Sequence, residues 1–332
     1  MIKSSIDGFV NIFVWAVSLF STRKTSLTVI NHTATRNIYM EKRRLGQQTN
    51  VGVIGLGIEH LKKKPSKEIT KIIKEAITHE INYIDLIWSY PHIVRAIGEA
   101  TKKNRENVFL ATHLGSCYKG DKYVRSRVVK RCKETFDEVL ENLGTNYIDV
   151  INLHYVKSSD WNKIFNPDGV FQLAKDLLEE GKARSIGLST HNIEIVKQAA
   201  QIPEINSIMH QTSMANHHNP ERNKAFQMCV ENGKSIVAMK IFAKGKLLQN
   251  RKKVKIAGYI TGGKPITTRI PNSITSAKCI NYALSQPGVA TVVPGVSSVE
   301  ELRDCINYVN SSEEERNYES ELEDLYHNEI KE

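Results

Sequence analysis

Val108-Phe109-Leu110-Ala111-Thr112-His113-Leu114 is an apolar run that carries an imidazole near its end. Apolar residues occupy both alternating sets of positions, so a strand built from it would meet water on neither face. Seven other runs have the same character: Val51–Leu56, Tyr83–Ile87, Tyr147–His154, Ala183–Ser189, Ser207–Thr212, Ser235–Ile241 and Val289–Pro294. Between them lie amphipathic stretches: Ser66–Thr78, Lys122–Leu143, Gly169–Glu180, Ile193–Gln201, Pro220–Glu231, Ile274–Leu284 and Ser298–Val309. In Gly169–Glu180, for instance, Val170, Leu173, Leu177 and Leu178 share one helical face. Strands buried on both faces and alternating with helices imply a parallel sheet. Eight such units in about 250 residues is the size of a closed (β/α)8 TIM barrel. A doubly wound open sheet would want Gly-x-Gly-x-x-Gly after its first strand. Gly52-Val53-Ile54-Gly55-Leu56-Gly57 has its glycines at other offsets.

In such a barrel the chemistry sits at the carboxyl ends of the strands. Asp85 closes Asn82-Tyr83-Ile84-Asp85, Tyr90 follows five positions later, and His113 and His154 end their own runs. A lone Asp, Tyr or His at a strand end is more often a cap or a core polar group than a catalyst. A carboxylate, a phenol and two imidazoles at successive strand ends form a proton-transfer site. Trp88 and Tyr118 flank the expected mouth, where they either line a pocket or cover the core.

The 332 residues are 40% apolar and 25% charged, as in an ordinary globular protein. The five cysteines, Cys117, Cys132, Cys229, Cys279 and Cys305, include no Cys-x-x-Cys pair. That spacing argues against a zinc site or a disulfide framework and suits a reducing, cytoplasmic compartment. The formal net charge is +10, with basic runs at Lys62–Lys64 and within Arg251–Lys255. These runs lack a nucleic-acid motif or interleaved aromatics, so nucleic acid is not an expected partner, although an anionic cofactor would be attracted by the field. Residues 1–39 differ from the rest. Their apolar run Phe9–Phe20 is too short to span a bilayer and only faintly resembles a signal peptide. Met40-Glu41-Lys42-Arg43-Arg44-Leu45-Gly46 reads like a natural start. The arm before it is expected to be a disordered or non-native extension, with residues 40–332 forming a single barrel domain.

From Met40 to about Val309 the chain resembles the aldo-keto reductase family. Met40–Gly46 followed by Val53-Ile54-Gly55-Leu56-Gly57 is similar to the family's opening hairpin and first strand, and Asp85-x-x-x-x-Tyr90 to its Asp and Tyr site motif. Thr112-His113-Leu114-Gly115 stands where the family has Thr-Lys-x-Gly, and Leu153-His154 matches its fourth site residue. The resemblance implies a barrel with a short N-terminal hairpin and a C-terminal helix. It also implies hydride transfer from NADPH or NADH to an aldehyde or ketone, without a metal. Tyr90 would be the general acid, Asp85 would hold a neighbouring cation that eases loss of the phenolic proton, and His154 would orient the carbonyl oxygen. The implied cofactor residues are Ser189, Thr190, Gln211, Met239, Lys240, Ala243, Lys244, Gly245, Gly295, Glu301, Asp304 and Cys305.

The chain departs from the family pattern in two places. Its site cation is a lysine, where this chain has His113. An imidazolium there would assist Tyr90, a neutral imidazole would do so far less, and a direct Tyr90–His113 relay is a third possibility. Glu301 stands where many members pair an arginine with the 2′-phosphate of NADP, which leaves NADH and NADPH both open. Arg303 and the loop Arg251–Lys255 are the alternative phosphate partners. A catalytically impaired barrel that binds the nucleotide in a regulatory role is the competing reading of these departures. The long connection Gly245–Ser273, with Gly262-Gly263 and two prolines, reads either as a cover over the site or as a surface insertion.

Overall fold

Each apolar run is too short to bury its own backbone groups, so it must pair with neighbours on both sides. The computed structural model describes residues 40–46 and 49–327, all within one unit spanning Ile38–Glu332. The expected N-terminal arm lies outside the described residues. Eight strands pair in parallel: β1 (Leu56–Gly57), β2 (Tyr83–Leu86), β3 (Phe109–Leu114), β4 (Val150–Val156), β5 (Ile186–Thr190), β6 (Ile205–Gln211), β7 (Ser235–Met239) and β8 (Val289–Val293). Parallel bridges from Ile54 to Val292 and from Gly57 to Gly295 join β8 back to the first strand region. The sheet is therefore a closed (β/α)8 barrel.

Eight helices follow the strands: α1 (Ser66–Thr78), α2 (Pro91–Thr101), α3 (Val129–Leu143), α4 (Val170–Glu179), α5 (Ile193–Ala200), α6 (Pro220–Glu231), α7 (Ser276–Leu284) and α8 (Val299–Ile306). In α1, Ile69, Ile72, Ile73 and Ala76 are buried along one stripe, as the 3.6-residue repeat requires. Asn219-Pro220, expected to form a turn before a helix, supplies the N-cap and N1 positions of α6.

Two expected elements are corrected. Val51–Leu56 is not one strand. Thr49–Gly52 pairs antiparallel with Lys42–Leu45, and only Leu56–Gly57 pairs with β2. This hairpin closes the amino end of the barrel: Arg43 donates to the carbonyls of Leu284 and Val289, and Gly46 N–H to Ser235 Oγ. Lys122–Leu143 is not one helix either. Lys122–Arg125 pairs with Ser116–Lys119 as a second hairpin, and α3 begins at Val129.

The connection after β7 carries a third hairpin, Lys253–Ile256 with Ile266–Arg269, bridged by the helical turn Gly258–Thr261. A C-terminal helix, Glu319–His327, docks here through fully buried Leu325 and a hydrogen bond from Thr268 to the Leu325 carbonyl. Among the described residues no helix is long and apolar enough to cross a membrane. The five cysteines are buried and free.

Strand side chains alternate between the two faces, so Asp85 points the same way as Tyr83, His113 as Ala111, and His154 as Val150. Tyr83, Ala111 and Val150 belong to one buried apolar cluster with Met209, Val237 and Met239. The polar groups thus stand above an apolar plug, at the carboxyl end of the barrel.

Candidate active site

Asp85, His113 and His154 are each at most 6% exposed. His113 Nε2 lies 2.7 Å from Asp85 Oδ1, and His113 Nδ1 lies 3.1 Å from His154 Nδ1. Adjacent strands bring them together, because β2 pairs with β3 and β3 with β4. His154 needs a further device. Pairing of β4 with β5 shifts register between Leu153 and Val156, and Tyr155 within that bulge has φ +43°, in the left-handed region. Arg127 holds the distorted turn by donating to the carbonyls of His154 at 2.6 Å and Tyr155 at 3.2 Å, while pairing with Asp160. Burial drives the His154 imidazole well below its usual titration range, and the neighbouring His113, Arg127, Arg125 and Lys240 act in the same direction.

Tyr90 does not join these three. Its hydroxyl donates to the backbone carbonyl of Asp121 at 3.3 Å, and its ring stacks obliquely near Trp88 and Tyr118 beneath the Lys62 ammonium. The phenol that reaches the imidazoles belongs to Tyr123, whose hydroxyl lies 2.7 Å from His154 Nε2. Tyr123 comes from the second hairpin, which turns through Gly120-Asp121 with Gly120 at φ +57°. That hairpin springs from Gly115 at φ +102°, where a Cβ would meet Ser126 O at 2.8 Å. The turn signal Lys119-Gly120-Asp121-Lys122 between Tyr118 and Tyr123 was the sequence feature that could have found it.

A cavity of about 320 Å³ runs from Asp85 and His113 past Ser189, Met239, Lys240, Lys244 and Gly245 to Gly295, Glu301, Asp304 and Cys305. A barrel with a carboxylate and imidazole at one end of such a groove matches a known pattern of sequence. The profile of the Aldo/keto reductase family matches residues 51–262. The chain belongs to the aldo/keto reductase family. It is 29% identical to the uncharacterized oxidoreductase YqkF of Bacillus subtilis (strain 168), over 82% of this chain and 92% of that one. It is 27% identical to morphine 6-dehydrogenase of Pseudomonas putida, over 49% of this chain and 52% of that one. Its fold is similar to the holo form of aldo-keto reductase AKR11C1 from Bacillus halodurans, with TM-score 0.68 and 24% identity over 86% of this chain and 96% of that one.

Members of this family are NAD(P)H-dependent oxidoreductases, and the groove of this aldo/keto reductase fits a nicotinamide nucleotide. Fully buried Gln211 donates Nε2 to the His191 carbonyl at 3.0 Å and does not itself line the groove, whereas Ser189 does. Lys240, Ala243, Lys244 and Gly245 all have positive φ, from +48° to +76°. Strained left-handed turns of this kind gather backbone N–H groups into anion-binding concavities, and two ammonium groups stand beside them. Lys240 meanwhile lies 3.7 Å from Glu59, a groove residue that the sequence reading did not single out. Phe242 and Leu248 also line the groove without having been expected.

Three expected cofactor residues do not line this cavity. Thr190 has a structural role, its hydroxyl donating to Val156 O at 2.7 Å and accepting from Asn192 N–H. Ala243 is fully buried, and Gln211 sits behind the cavity wall. At the far end Glu301 is fixed: Oε2 accepts from Ser297 N–H at 2.7 Å and from its hydroxyl at 2.9 Å. Arg303, an alternative phosphate partner, is paired with Glu75 of α1 at 2.7 Å. Residues 253–256 of the basic loop are committed to the third hairpin. The tip of that hairpin bends towards the site, with Tyr259 stacked on His191 at 5.6 Å and Lys244 over the Tyr259 ring.

Proposed function

We propose that this protein reduces an aldehyde or ketone, using NADH or NADPH, at the end of the groove lined by Asp85 and His113. The observation that carries this reading is the buried Asp85–His113 pair at one end of a groove whose walls present Lys240, Lys244 and a set of left-handed turns. The bound nucleotide would supply a hydride to the carbonyl carbon. Lys240 and Lys244 would hold its diphosphate, and Ser189 its nicotinamide end. A proton must then reach the carbonyl oxygen as charge develops there. The Asp85 carboxylate lies 2.7 Å from His113, which stands where the family pattern has its lysine. A phenol remains the group suited to deliver the proton. Tyr90, expected in that role, has its hydroxyl at the Asp121 carbonyl, and Tyr123 is the phenol in contact with the histidines.

Fixed Glu301 supports a preference for NADH. A carboxylate repels a 2′-phosphate and accepts a hydrogen bond from a free 2′-hydroxyl. A cytoplasmic location belongs to the same reading, since it supplies reduced nucleotide and keeps the thiols reduced.

Titration of the purified protein with NADH and NADPH, followed by assay with a panel of simple aldehydes and ketones, tests the proposal. Nucleotide binding with consumption in the presence of a carbonyl is the expected result. Tight binding with no turnover of any carbonyl would favour the alternative, a nucleotide-binding barrel with a regulatory role. The displaced Tyr90 hydroxyl is what keeps that alternative in view.

A further inference from the structure

Two cations at the mouth of the barrel lie over one aromatic ring, that of Tyr155. In an unbroken strand the residue after inward-facing His154 would face the helices. The β4 bulge re-aims it, so that the Tyr155 ring lies between the imidazoles of His154 and His191, with centroids 6.3 and 4.9 Å away. The Arg125 guanidinium and the Lys157 ammonium lie over this ring at 5.4 and 5.1 Å. Lys157 is exposed and makes no hydrogen bond or ion pair among the described residues. Arg125 has a carboxylate only in part, because the same oxygen, Asp160 Oδ2, lies 3.2 Å from Arg125 and from Arg127. Three cations thus stand beside one carboxylate. A cation over an exposed ring is held weakly and keeps N–H donors for an anion.

We infer that the carbonyl substrate is itself an anion, a carboxylate or a phosphate ester, and that Lys157 and Arg125 over Tyr155 hold its charged end while its carbonyl reaches Asp85 and His113. This rests on the reductase reading given above and names the substrate class within it. The His154 ring lies 5.1 Å from that of His113, which lines the groove beside Asp85. The charged end is therefore two ring steps, 5.1 and 6.3 Å, from the reacting end. A chain of a few carbons or a single aromatic ring spans that separation.

The surroundings favour a negative group. Burial keeps His154 and His191 neutral at pH 7, so neither adds a charge of its own. The positive charges that act on them are Arg127, Arg125 and Lys240 at His154, and Lys240, Lys244 and Lys157 at His191. Tyr155, between these two rings, is accordingly surrounded by cations from the second hairpin, from the end of β4 and from the turns after β7. His191 Nδ1 is buried without a hydrogen-bond partner, and a neutral imidazole can carry an N–H there. Lys240 and Lys244 belong to the nucleotide diphosphate in the reading above, and Lys244 is further held over Tyr259. Lys157 and Arg125 are what remains for the substrate. The left-handed backbone of Tyr155, φ +43°, is strain of the kind that collects at ligand clamps.

Matched substrates test the inference. Short ω-oxo carboxylates and 4-carboxybenzaldehyde are compared with their methyl esters in the presence of NADH or NADPH. The acids should be favoured ~10-fold or more in kcat/KM, chiefly through KM, and the advantage should shrink as sodium chloride is raised. Short oxoalkyl phosphates run beside them decide between the two anions, and preference for either over its neutral ester supports the inference. Lys157→Gln should lower kcat/KM for the anion ~10-fold and bring it level with the ester. Lys163→Gln removes an exposed charge from the neighbouring helical turn Trp161–Phe165 and should keep the parent's ratio. A ~10-fold loss of nucleotide affinity in Lys157→Gln would assign this lysine to the cofactor and overturn the inference. So would loss of the preference in Lys62→Gln, whose ammonium lies over Trp88 and Tyr90, with Lys157→Gln unaffected. Equal kcat/KM for anions and esters in the parent would overturn it while leaving the reductase reading intact. A parent protein that binds nucleotide and reduces neither would overturn both.

Discussion

Tyr155 is a bulky residue at φ +43°, a conformation that costs of order 1–3 kcal/mol unless its surroundings enforce it. Arg127 is the enforcing group, since it grips both carbonyls around the turn and, with Arg125, pairs with buried Asp160. Arg127→Ala is expected to let His154 swing by ångströms, lowering kcat ~10²-fold with little change in nucleotide affinity, and to cost ~1–3 kcal/mol in chemical denaturation, because the His154 and Tyr155 carbonyls lose their donor and Asp160 keeps only Arg125. His113→Lys places an ammonium beside Asp85, as the family pattern has it. A lysine keeps its proton to higher pH than an imidazole, so the alkaline fall of kcat/KM should move upward in that variant. An unmoved pH profile would show that the charge at residue 113 does not assist the acid. Asp85, His113 and His154 were legible in the sequence because each ends an apolar run, and a parallel barrel gathers strand ends. Tyr123 was not legible, because its position depends on a hairpin whose residues also satisfy a helical pattern.

At the scale of elements, that hairpin decides which phenol meets the histidines. Lys122-Tyr123-Val124-Arg125 can be read at helical spacing as the start of the stripe that continues through Cys132, Phe136, Val139 and Leu140. Pairing with Ser116–Lys119 wins because Gly115 and Gly120 supply left-handed turns at its base and its tip. Gly115→Ala should cost ~1–3 kcal/mol and depress turnover more than nucleotide binding, measured by urea titration beside kinetics. Helix α8 poses a separate question. Glu301→Gln retains an acceptor for Ser297 but removes the charge, so affinity for NADPH should rise ~10-fold while that for NADH changes little. Equal gains for both nucleotides would sink the idea that Glu301 discriminates between them. Seven of the strand runs were readable from periodicity, and so were the helices apart from α2, which was not expected, and the start of α3. The split of Val51–Leu56 was not, because a hairpin strand and a barrel strand joined without a turn look like one apolar run.

The whole molecule buries histidines that prefer to be neutral. His191 and His210 are both pushed down to about 3 by burial, and His154 is lowered as well. For a base whose folded value is depressed, the unfolded chain binds more protons between the two values, so stability is complete above the ordinary imidazole range near 6.5 and is lost as pH falls below it. Each such group adds a slope of up to ~1.4 kcal/mol per pH unit across that window. Thermal or urea unfolding should therefore show a steep loss of stability between pH 6.5 and 4, and an equal midpoint at pH 7 and 5 would contradict this.

The bridges from Ile54 to Val292 and from Gly57 to Gly295 join the beginning of the barrel to its end in sequence. During synthesis, β1 must wait for more than two hundred residues before its outer neighbour leaves the ribosome. Until then a growing chain carries two open strand edges, each a template for pairing with another nascent copy. A chain stopped before Val289 would keep those edges permanently, and its fate would be aggregation or capture by chaperones rather than partial activity.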